Sequence, residues 1–402
     1  MKNNIFHTQD LCFAQTCDAL ESSAEMEIYM KVVIAIDSFK GSMTSMEAGN
    51  AVKKGILAAK PDAEVWLSPL ADGGEGTVDA LIEGLGAEKI PVTVAGPLGE
   101  KVSCYYGFLE ETKSAVMEMA SAAGITLVTK KDPLRASTYG VGEMIADALK
   151  RDCKNFIIGI GGSATNDGGI GMLKALGFEF FDEDGNDVGE GAAALAKITE
   201  IRTENKNPLL SGAKFQIACD VKNPLCGKQG ATYIFGSQKG VTEEQKDQID
   251  EAMRHYADVT KESLGCDFAD CGGAGAAGGL GYAFLSYLAG ELIPGVELIL
   301  HATGLEEKMK NADVVVTGEG RLDAQTVMGK APVGVAALAK KYDAKVIAFA
   351  GSVAPEAKVC NRAGIDAFFP IVRGVATLEE AMKKENAMEN IAATAEQVFR
   401  LL

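Results

Sequence analysis

The stretch Met30-Lys-Val-Val-Ile-Ala-Ile-Asp37, which continues as Ser38-Phe-Lys-Gly41, decides the fold. Its apolar run is continuous rather than alternating and ends in an acid, which is typical of a parallel strand buried on both faces. Thr44 and Glu47 then have the spacing of a capping box, so we predict a helix from there to about Lys60. A buried strand followed by a helix is the repeating unit of an α/β protein.

The same alternation of strand and helix returns elsewhere in the chain. Four further strands are predicted, at residues 65–70, 313–317, 345–350 and 367–372. Together with the first strand they predict one doubly wound parallel sheet with helices on both faces. The sheet is interrupted between its second and third strands by about two hundred residues, which is enough for a second domain.

The intervening stretch differs in character from the rest of the chain. It mixes β-like pieces at 102–108, 156–160, 214–219 and 232–235 with helices and long glycine-rich loops. We therefore predict a discontinuous first domain of residues 30–88 and 294–402, and an inserted α/β domain of residues 89–293. Residues 1–29 do not resemble either part and are expected to form a poorly ordered extension. A cleft between two such domains is where a ligand is expected to bind.

Composition excludes several classes of function. Lys and Arg number 39 against 56 Asp and Glu, so the net charge is -17 and no basic block occurs, which excludes a nucleic-acid-binding protein. The longest apolar runs are far shorter than the ~20 residues of a membrane span, so no membrane partner is expected. Nine cysteines without a C-x-x-C pair, beside only three histidines, argue against a zinc site and predict reduced thiols in a cytoplasmic protein.

Glycine is abundant, at 46 residues, and much of it lies in five loops. Backbone N–H groups in such loops can approach a phosphate closely, and a helix that follows adds its positive end. The five loops are 38–42, 72–77, 159–169, 272–279 and 317–323. Most of them begin at the carboxyl end of a predicted strand, which is where α/β proteins bind ligands.

Two nucleotide-binding patterns can be tested against these loops. The P-loop pattern fails because neither Gly227-Lys228 nor Gly329-Lys330 is followed by Ser or Thr. The dinucleotide pattern G-x-G-x-x-G/A occurs at 159–164 and 273–278, with Glu179 or Asp182 about twenty residues after the first. An NAD(P)-dependent oxidoreductase acting on a small 2-hydroxy acid is therefore the alternative function, and a non-catalytic protein that binds a small anion is a third.

The charged side chains of the loops favour phosphoryl transfer instead. That chemistry needs cations around the moving phosphate, carboxylates for Mg²⁺ and an acceptor for the proton of the substrate hydroxyl. Lys40, Arg321 and Lys330 are cations in or beside glycine-rich loops. The carboxylates at the same predicted strand ends are Asp37, Asp72, Glu75, Glu319 and Asp323.

Seven motifs are spread in order over residues 30–375: DSFKGS at 37–42, PLADGGEGT at 69–77, GIGGSATNDGG at 159–169, DVKNPL at 220–225, FGSQKG at 235–240, GAGAAGGLG at 273–281 and TGEGRLDAQ at 317–325. This series resembles the bacterial glycerate kinases of the first type. One departure is Ser237, where the family pattern has Pro. The resemblance implies a flavodoxin-like domain interrupted by a second α/β domain. It also implies ATP-dependent phosphorylation of D-glycerate with Mg²⁺, with 2-phosphoglycerate favoured as product. A monomer and a homodimer are both left open by the sequence.

The resemblance also implies roles for individual residues. Arg321 suits the glycerate carboxylate through a two-pronged contact, Lys40 suits the transferring phosphate, and either Asp220 or Asp323 could accept the hydroxyl proton. The residues implied for the nucleotide are Gly161, Gly162, Ser163, Thr165, Asn166, Gly275 and Gly278. Those implied for glycerate are Ser38, Asp72, Gly73, Gly74, Glu75, Arg321 and Gln325. Those implied for Mg²⁺ are Asp72 and Glu319.

Overall fold

The computed structural model of the protein describes residues 29–70 and 77–402. The strands within them are β1 (Lys31–Ile34), β2 (Glu64–Leu67), β3 (Glu88–Ala95), β4 (Lys101–Leu109), β5 (Ser114–Glu118), β6 (Asn155–Gly159), β7 (Glu179–Phe181), β8 (Glu200–Arg202), β9 (Lys214–Ala218), β10 (Glu291–Ile293), β11 (Val314–Leu322), β12 (Lys345–Val353) and β13 (Ala367–Pro370). The predictions made for residues 1–28 and for Asp72, Gly73, Gly74 and Glu75 lie outside the described residues.

The α-helices of the described residues connect these strands. They are α1 (Ser45–Ala59), α2 (Thr77–Leu85), α3 (Ala120–Ala123), α4 (Tyr139–Lys150), α5 (Ile170–Ala175), α6 (Ala192–Leu195), α7 (Ala231–Phe235), α8 (Glu243–Leu264), α9 (Leu280–Leu288), α10 (Gly295–Ala302), α11 (Leu305–Met309), α12 (Ala331–Lys340), α13 (Val359–Arg362), α14 (Leu378–Met382) and α15 (Lys384–Phe399). Strand and helix alternate through the first and last parts of the chain, as predicted.

The five predicted strands of the first domain form one parallel sheet. Its order is β13-β12-β11-β1-β2, and all four neighbouring pairs are parallel. Renumbered within the sheet, this is the flavodoxin-like order 2-1-3-4-5, whose ligand site lies where the order reverses, here between β1 and β11. The doubly wound parallel sheet is therefore confirmed.

The continuous apolar run that predicted β1 is explained by burial on both faces of this sheet. Val32 and Ile34 pack with α1 and α15 on one side, and Val33 and Ala35 pack with α11 and α12 on the other. All four side chains are fully buried. A strand with a solvated face would alternate apolar and polar residues, so this burial requires the unbroken apolar sequence.

The inserted residues build a second, mixed sheet of six strands in the order β10-β9-β6-β5-β4-β3. The strands from β10 to β5 are parallel, whereas β4 and β3 are antiparallel additions at one edge. One face packs on α4, α5, α8 and α9, and the other packs on α2 together with Ile299 of α10. The domain limits given above stay a prediction; the helix at residues 77–85 packs on the six-stranded sheet.

Two local predictions from the sequence are wrong. Residues 232–235, which are rich in β-formers, form the helix α7, because Ala231 and Thr232 pack inward and Gly236 N donates to Thr232 O at 2.9 Å. Propensity is a weak guide where tertiary packing opposes it. Residues 317–322 are not loop but the second half of β11, since Arg321 pairs in register with Ser352 of β12.

The start of α1 gives a first quantitative prediction. Glu47 N donates to Thr44 Oγ1 at 3.2 Å and Thr44 N donates to a Glu47 carboxylate oxygen at 3.0 Å, which completes the predicted capping box. We expect Thr44→Ala to lower the free energy of unfolding by about 1 kcal/mol, because the backbone N–H of Glu47 loses its acceptor, Thr44 Oγ1. Urea titration measures this change. Thr112→Ala, in the exposed turn after β4, is the control, and an equal loss in both variants would contradict the assignment.

Candidate functional site

A cavity of about 610 Å³ lies at the carboxyl edge of the five-stranded sheet, beside the point where the strand order reverses. We call it the Lys40 pocket. The residues that line it include Asp37, Ser38, Phe39, Lys40, Glu319, Arg321, Lys330, Ser352, Ile371, Leu378 and Met382. Four of the predicted site residues are therefore brought together, although about 280 positions of sequence separate Ser38 and Lys40 from Glu319 and Arg321.

The loop that carries Lys40 is a tight turn fixed by its own backbone. Phe39 N donates to Met43 O at 2.9 Å and Ser42 N donates to Phe39 O at 2.8 Å, with Gly41 at a φ of 77° that favours glycine. Phe39 and Met43 are buried, so they anchor the turn in the core, while the Lys40 side chain remains exposed. The arrangement presents a cation at the mouth of the pocket.

Glu319, a predicted Mg²⁺ ligand, is already engaged in this pocket. Thr326 Oγ1 donates to one carboxylate oxygen at 2.7 Å and Lys330 Nζ donates to the other at 3.0 Å. Glu319 is only 7% exposed, and the ammonium of Lys330 compensates its buried negative charge. Within residues 29–70 and 77–402, no three His, Cys, Asp or Glu side chains are placed to hold a metal ion together. A role of Glu319 in binding Mg²⁺ stays a prediction.

Asp323 and Gln325 lie in the turn after β11. Arg321 Nε is 3.5 Å from Asp323 Oδ2, and Gln325 N donates to Asp323 Oδ1 at 2.9 Å, so the carboxylate orients the guanidinium and closes the turn. Gln325 is exposed and does not line the Lys40 pocket. Asp323 thus acts on Arg321 directly in this structure, whereas a contact of Gln325 with substrate stays a prediction.

A second cavity, of about 590 Å³, lies at the carboxyl ends of β6 and β9 in the six-stranded sheet. We call it the Ser163 cavity. The residues that line it include Ile125, Lys131, Ile160, Gly161, Gly162, Ser163, Asp220, Val221, Phe235, Gln238 and Lys239. Four predicted site residues, the two glycines, Ser163 and Asp220, therefore share a cavity, but this cavity has no lining residue in common with the Lys40 pocket.

The loop that follows β6 is held by the segment between β5 and α4. Ile125 N donates to Gly162 O and Ala164 N donates to Ala123 O, at 2.8 and 2.9 Å. Gly161 is exposed, and a Cβ placed on it would meet no atom within 4 Å, so its backbone borders open space in the cavity. A ligand phosphate could approach this backbone closely, which is the property expected of an anion-binding loop.

Thr165 and Asn166 lie beneath this loop rather than on its surface. Both are fully buried, and Asn166 Nδ2 donates to Thr232 Oγ1 at 3.0 Å. Gly278 packs closely against them, because a Cβ added to it would lie 2.2 Å from Thr165 O. The backbone N–H of Gly275 already donates a hydrogen bond to Asn223 O at 3.0 Å. These four positions shape the loop in this structure, and direct contact with a nucleotide stays a prediction for them.

Asp220 follows β9, as predicted, and links the two sheets. Its Oδ1 accepts a hydrogen bond of 2.9 Å from Gly295 N, the first residue of α10, whose other residues pack against the five-stranded sheet and α2. A carboxylate at the first turn of a helix is favoured by the helix dipole. Asp220 therefore has a structural role at the junction while it also lines the Ser163 cavity.

Lys239 is a site residue that the sequence reasoning missed. It lies in the short 3-10 helix Ser237–Lys239, is 2% exposed, and its Nζ donates to Thr165 O at 2.7 Å. Burial lowers the pKa of this lysine to about 7, with the charge of Asp167 opposing the shift. Its one sequence signal was its place in the motif 235–240, because a lysine between polar residues and glycine is otherwise typical of an exposed turn.

The dinucleotide pattern does not have its expected structural context. In a Rossmann fold the pattern leads from a strand directly into a helix, whereas ten residues separate β6 from α5 here and Gly162 O and Ala164 N are bonded to the segment 123–125. Of the two candidate ribose ligands, Glu179 lies in β7 of a separate two-stranded sheet and accepts from Asn205, and Asp182 follows β7 and accepts from Asn186 N. The pattern at 273–278 follows no strand.

Two further features bear on the class of protein. The seven cysteines in the described part of the chain are all free, and none of its helices is both long and apolar enough to cross a membrane. Burial raises the pKa of the Cys226 thiol to about 12. This thiol is therefore protonated at neutral pH and is not an activated nucleophile.

Comparison with known proteins agrees with this geometry. The model of the glycerate kinase family matches residues 32–402. A glycerate kinase of Bacillus subtilis (strain 168) is 45% identical over 371 residues, 92% of this chain and 97% of that protein. A glycerate 2-kinase of Escherichia coli (strain K12) is 45% identical over 372 residues, 91% and 98% of the two chains. A solved structure described as glycerate kinase 2 from Salmonella typhimurium LT2 is 43% identical, covers 92% of this chain and 97% of its own, and superposes with a TM-score of 0.85. The alternative of an oxidoreductase finds no support, and the chain belongs to the glycerate kinase family.

Proposed function

We propose that the protein transfers a phosphoryl group from ATP to a hydroxyl of D-glycerate, with 2-phosphoglycerate as the favoured product. The observation that carries this proposal is the Lys40 pocket, where Lys40, Arg321 and Lys330 line one cavity of a protein with a net charge of -17. Both substrates are anions that the protein repels at long range, so local cations must bind them. Phosphoryl transfer is catalysed mainly by such positioning and charge stabilisation.

Glycerate is assigned to the Lys40 pocket. The Arg321 side chain is 68% exposed and, among the residues that the structure describes, it pairs with Asp323 through Nε, so its other N–H groups can hold the substrate carboxylate in a two-pronged contact. Lys40 lies across the same pocket and is assigned to the phosphoryl group in transfer. Ser38, beside the reversal point of the sheet, is assigned to a glycerate hydroxyl.

ATP is assigned to the Ser163 cavity, with Gly161, Gly162 and Ser163 around its phosphates. The open backbone at Gly161 and the ~590 Å³ of the cavity support this assignment, since a nucleotide needs both room and close backbone donors. Mg²⁺ belongs to the proposal as a companion of the phosphates, because it is usually bound through substrate phosphates and one or two carboxylates. Of the two predicted ligands, Glu319 already accepts hydrogen bonds from Thr326 and Lys330, and Asp72 lies outside the described residues.

Asp220 is the favoured acceptor of the hydroxyl proton. It lines the Ser163 cavity at the junction of the two sheets, whereas Asp323 is occupied with Arg321 and Gln325 N. Transfer requires the reacting groups of the two cavities to meet, so we propose that binding both substrates closes the two sheets toward one another. We expect the radius of gyration in X-ray scattering to fall with ATP and D-glycerate together, and equal curves with and without them would contradict closure.

The test of the function is a coupled assay of ADP release. The protein with ATP, Mg²⁺ and D-glycerate should release ADP in proportion to glycerate consumed, and NMR of the product should place the phosphate on carbon 2. D-glycerate binding without ADP release would instead make the protein an anion-binding protein. A cytoplasmic location and a monomer or homodimer complete the proposal; sedimentation of the purified protein decides between the two oligomeric states.

A further inference from the structure

We propose that Lys239 binds the ATP phosphates in the Ser163 cavity and takes up a proton when it does so. This inference rests on the proposed function, which assigns ATP to that cavity. Phosphate-binding lysines in proteins act as compact point charges with three donors. Lys239 would be such a residue. It lies 74 positions after Thr165 in the sequence, and its Nζ donates a hydrogen bond to Thr165 O.

The ammonium of Lys239 has N–H groups that are not hydrogen-bonded to the protein. Among the described residues, Thr165 O is the one acceptor that hydrogen-bonds to its ammonium, at 2.7 Å, so up to two N–H groups are available in the cavity. The side chain is 2% exposed, and a buried ammonium normally has partners for its donors. An anion in the cavity would supply them.

Neighbouring polar atoms on the same loop also lack partners. Thr165 Oγ1 and Asn166 Oδ1 are buried without a hydrogen-bond partner, although both residues are fully enclosed. Most buried polar atoms in proteins are hydrogen-bonded, so this group of incompletely paired residues indicates a missing ligand. Lys239 is the member of the group that lines the cavity, whereas Thr165 and Asn166 lie beneath the loop. The loop, the lysine and the cavity thus form one anion site.

The charges around Lys239 determine its protonation. Asp167, fully buried on the loop, is the charged group that acts on it, while Lys131 and Asp220 line the same cavity and Gln238 and Thr232 are neutral. Burial raises the pKa of Asp167, although four donors from Thr138, Gly169 and Gly171 oppose the rise. Burial lowers the pKa of Lys239 to about 7, so much of it is neutral at pH 8 until an anion arrives.

The experiment is calorimetric titration of the protein with ATP and Mg²⁺ at pH 8 in two buffers of different ionisation enthalpy. With the pKa of Lys239 about 7, the wild type should take up roughly 0.9 of a proton per ATP bound, since the phosphates themselves are then fully ionised. Lys239→Met should show no uptake and at least roughly tenfold weaker binding. Lys131→Met is the matched control, because it removes a cation from the same cavity and should keep the proton uptake.

The outcomes separate this inference from the proposed function. Absence of ATP binding by the wild type would reject the proposed function, whereas binding without proton uptake, or uptake that persists in Lys239→Met, would reject the role of Lys239. Stability gives a second readout. Because the folded pKa of about 7 lies below 10.5, the unfolded chain binds more protons between these values, and the stability of the wild type should rise with pH there. Lys239→Met should lose that rise while it still unfolds in one cooperative transition, which shows that the variant is folded.

Discussion

Replacing Arg321 by Ala is expected to reduce kcat/KM for D-glycerate by at least roughly a hundredfold, because the substrate carboxylate loses a two-pronged contact and each hydrogen bond to a charged group is worth about 1.5–3 kcal/mol. The Arg321 side chain is exposed and makes one ion pair, with Asp323 at 3.5 Å, so its loss should leave the fold intact. Lys40→Ala should cause a similar loss, mainly in kcat, because Lys40 is assigned to the phosphoryl group rather than to the substrate carboxylate. Steady-state kinetics with D-glycerate measure both effects.

The matched control for these variants is Arg202→Ala. Arg202 is also exposed and also pairs with an acid, Glu200, but it lies in β8 of the small two-stranded sheet. Its replacement should leave both kinetic constants unchanged. If Arg321→Ala and Lys40→Ala had near-normal kinetics while Arg202→Ala did as well, the assignment of the Lys40 pocket to the reaction would be wrong.

The five-stranded sheet was predictable because burial of its central strands on both faces leaves a visible pattern in their amino-acid sequence. A strand such as β1, buried on both faces, requires a continuous apolar run. The capping box that begins the next helix depends only on two residues three positions apart, so it too can be recognised locally. The motif 232–235 was not predictable in the same way. Its β-branched and aromatic residues favour a strand locally, and contacts with Asn166 and the core instead hold it as helix α7.

The residues of the candidate site likewise differ in whether their role could be predicted from the sequence. Lys40 and Arg321 are recognisable because each is a cation at the end of a strand, and the parallel sheet brings such ends to one edge. Lys239 is not, because its burial depends on the loop at 161–167, which lies far away in sequence and closes over it. The separation of the Lys40 pocket from the Ser163 cavity also could not be predicted, since it depends on how the two sheets sit about Asp220 and Gly295.

Replacing Gly161 by Val is the second change with a large expected effect, here on ATP. The added side chain meets no protein atom within 4 Å of its Cβ position, so the fold should tolerate it, but it projects into the space assigned to the phosphates. Loss of one or two hydrogen bonds to a charged group costs about 2–3 kcal/mol, which corresponds to a roughly 30- to 150-fold fall in kcat/KM for ATP. Gly374→Val is the control for the same mutation at an equally open glycine outside both cavities.

A substitution at Gly278, on the buried side of the loop, should lower stability instead of weakening the use of ATP. At Gly278 the φ is 72° and a Cβ would lie 2.2 Å from Thr165 O, so Gly278→Ala must distort the loop and should lower the free energy of unfolding by about 2–4 kcal/mol. Thermal unfolding should therefore separate the two variants: Gly161→Val keeps the wild-type midpoint with weakened use of ATP, and Gly278→Ala loses stability. If instead Gly161→Val bound and used ATP as the wild type does, the loop could not be the place where the phosphates bind, because a valine at that position leaves them no close approach to its backbone.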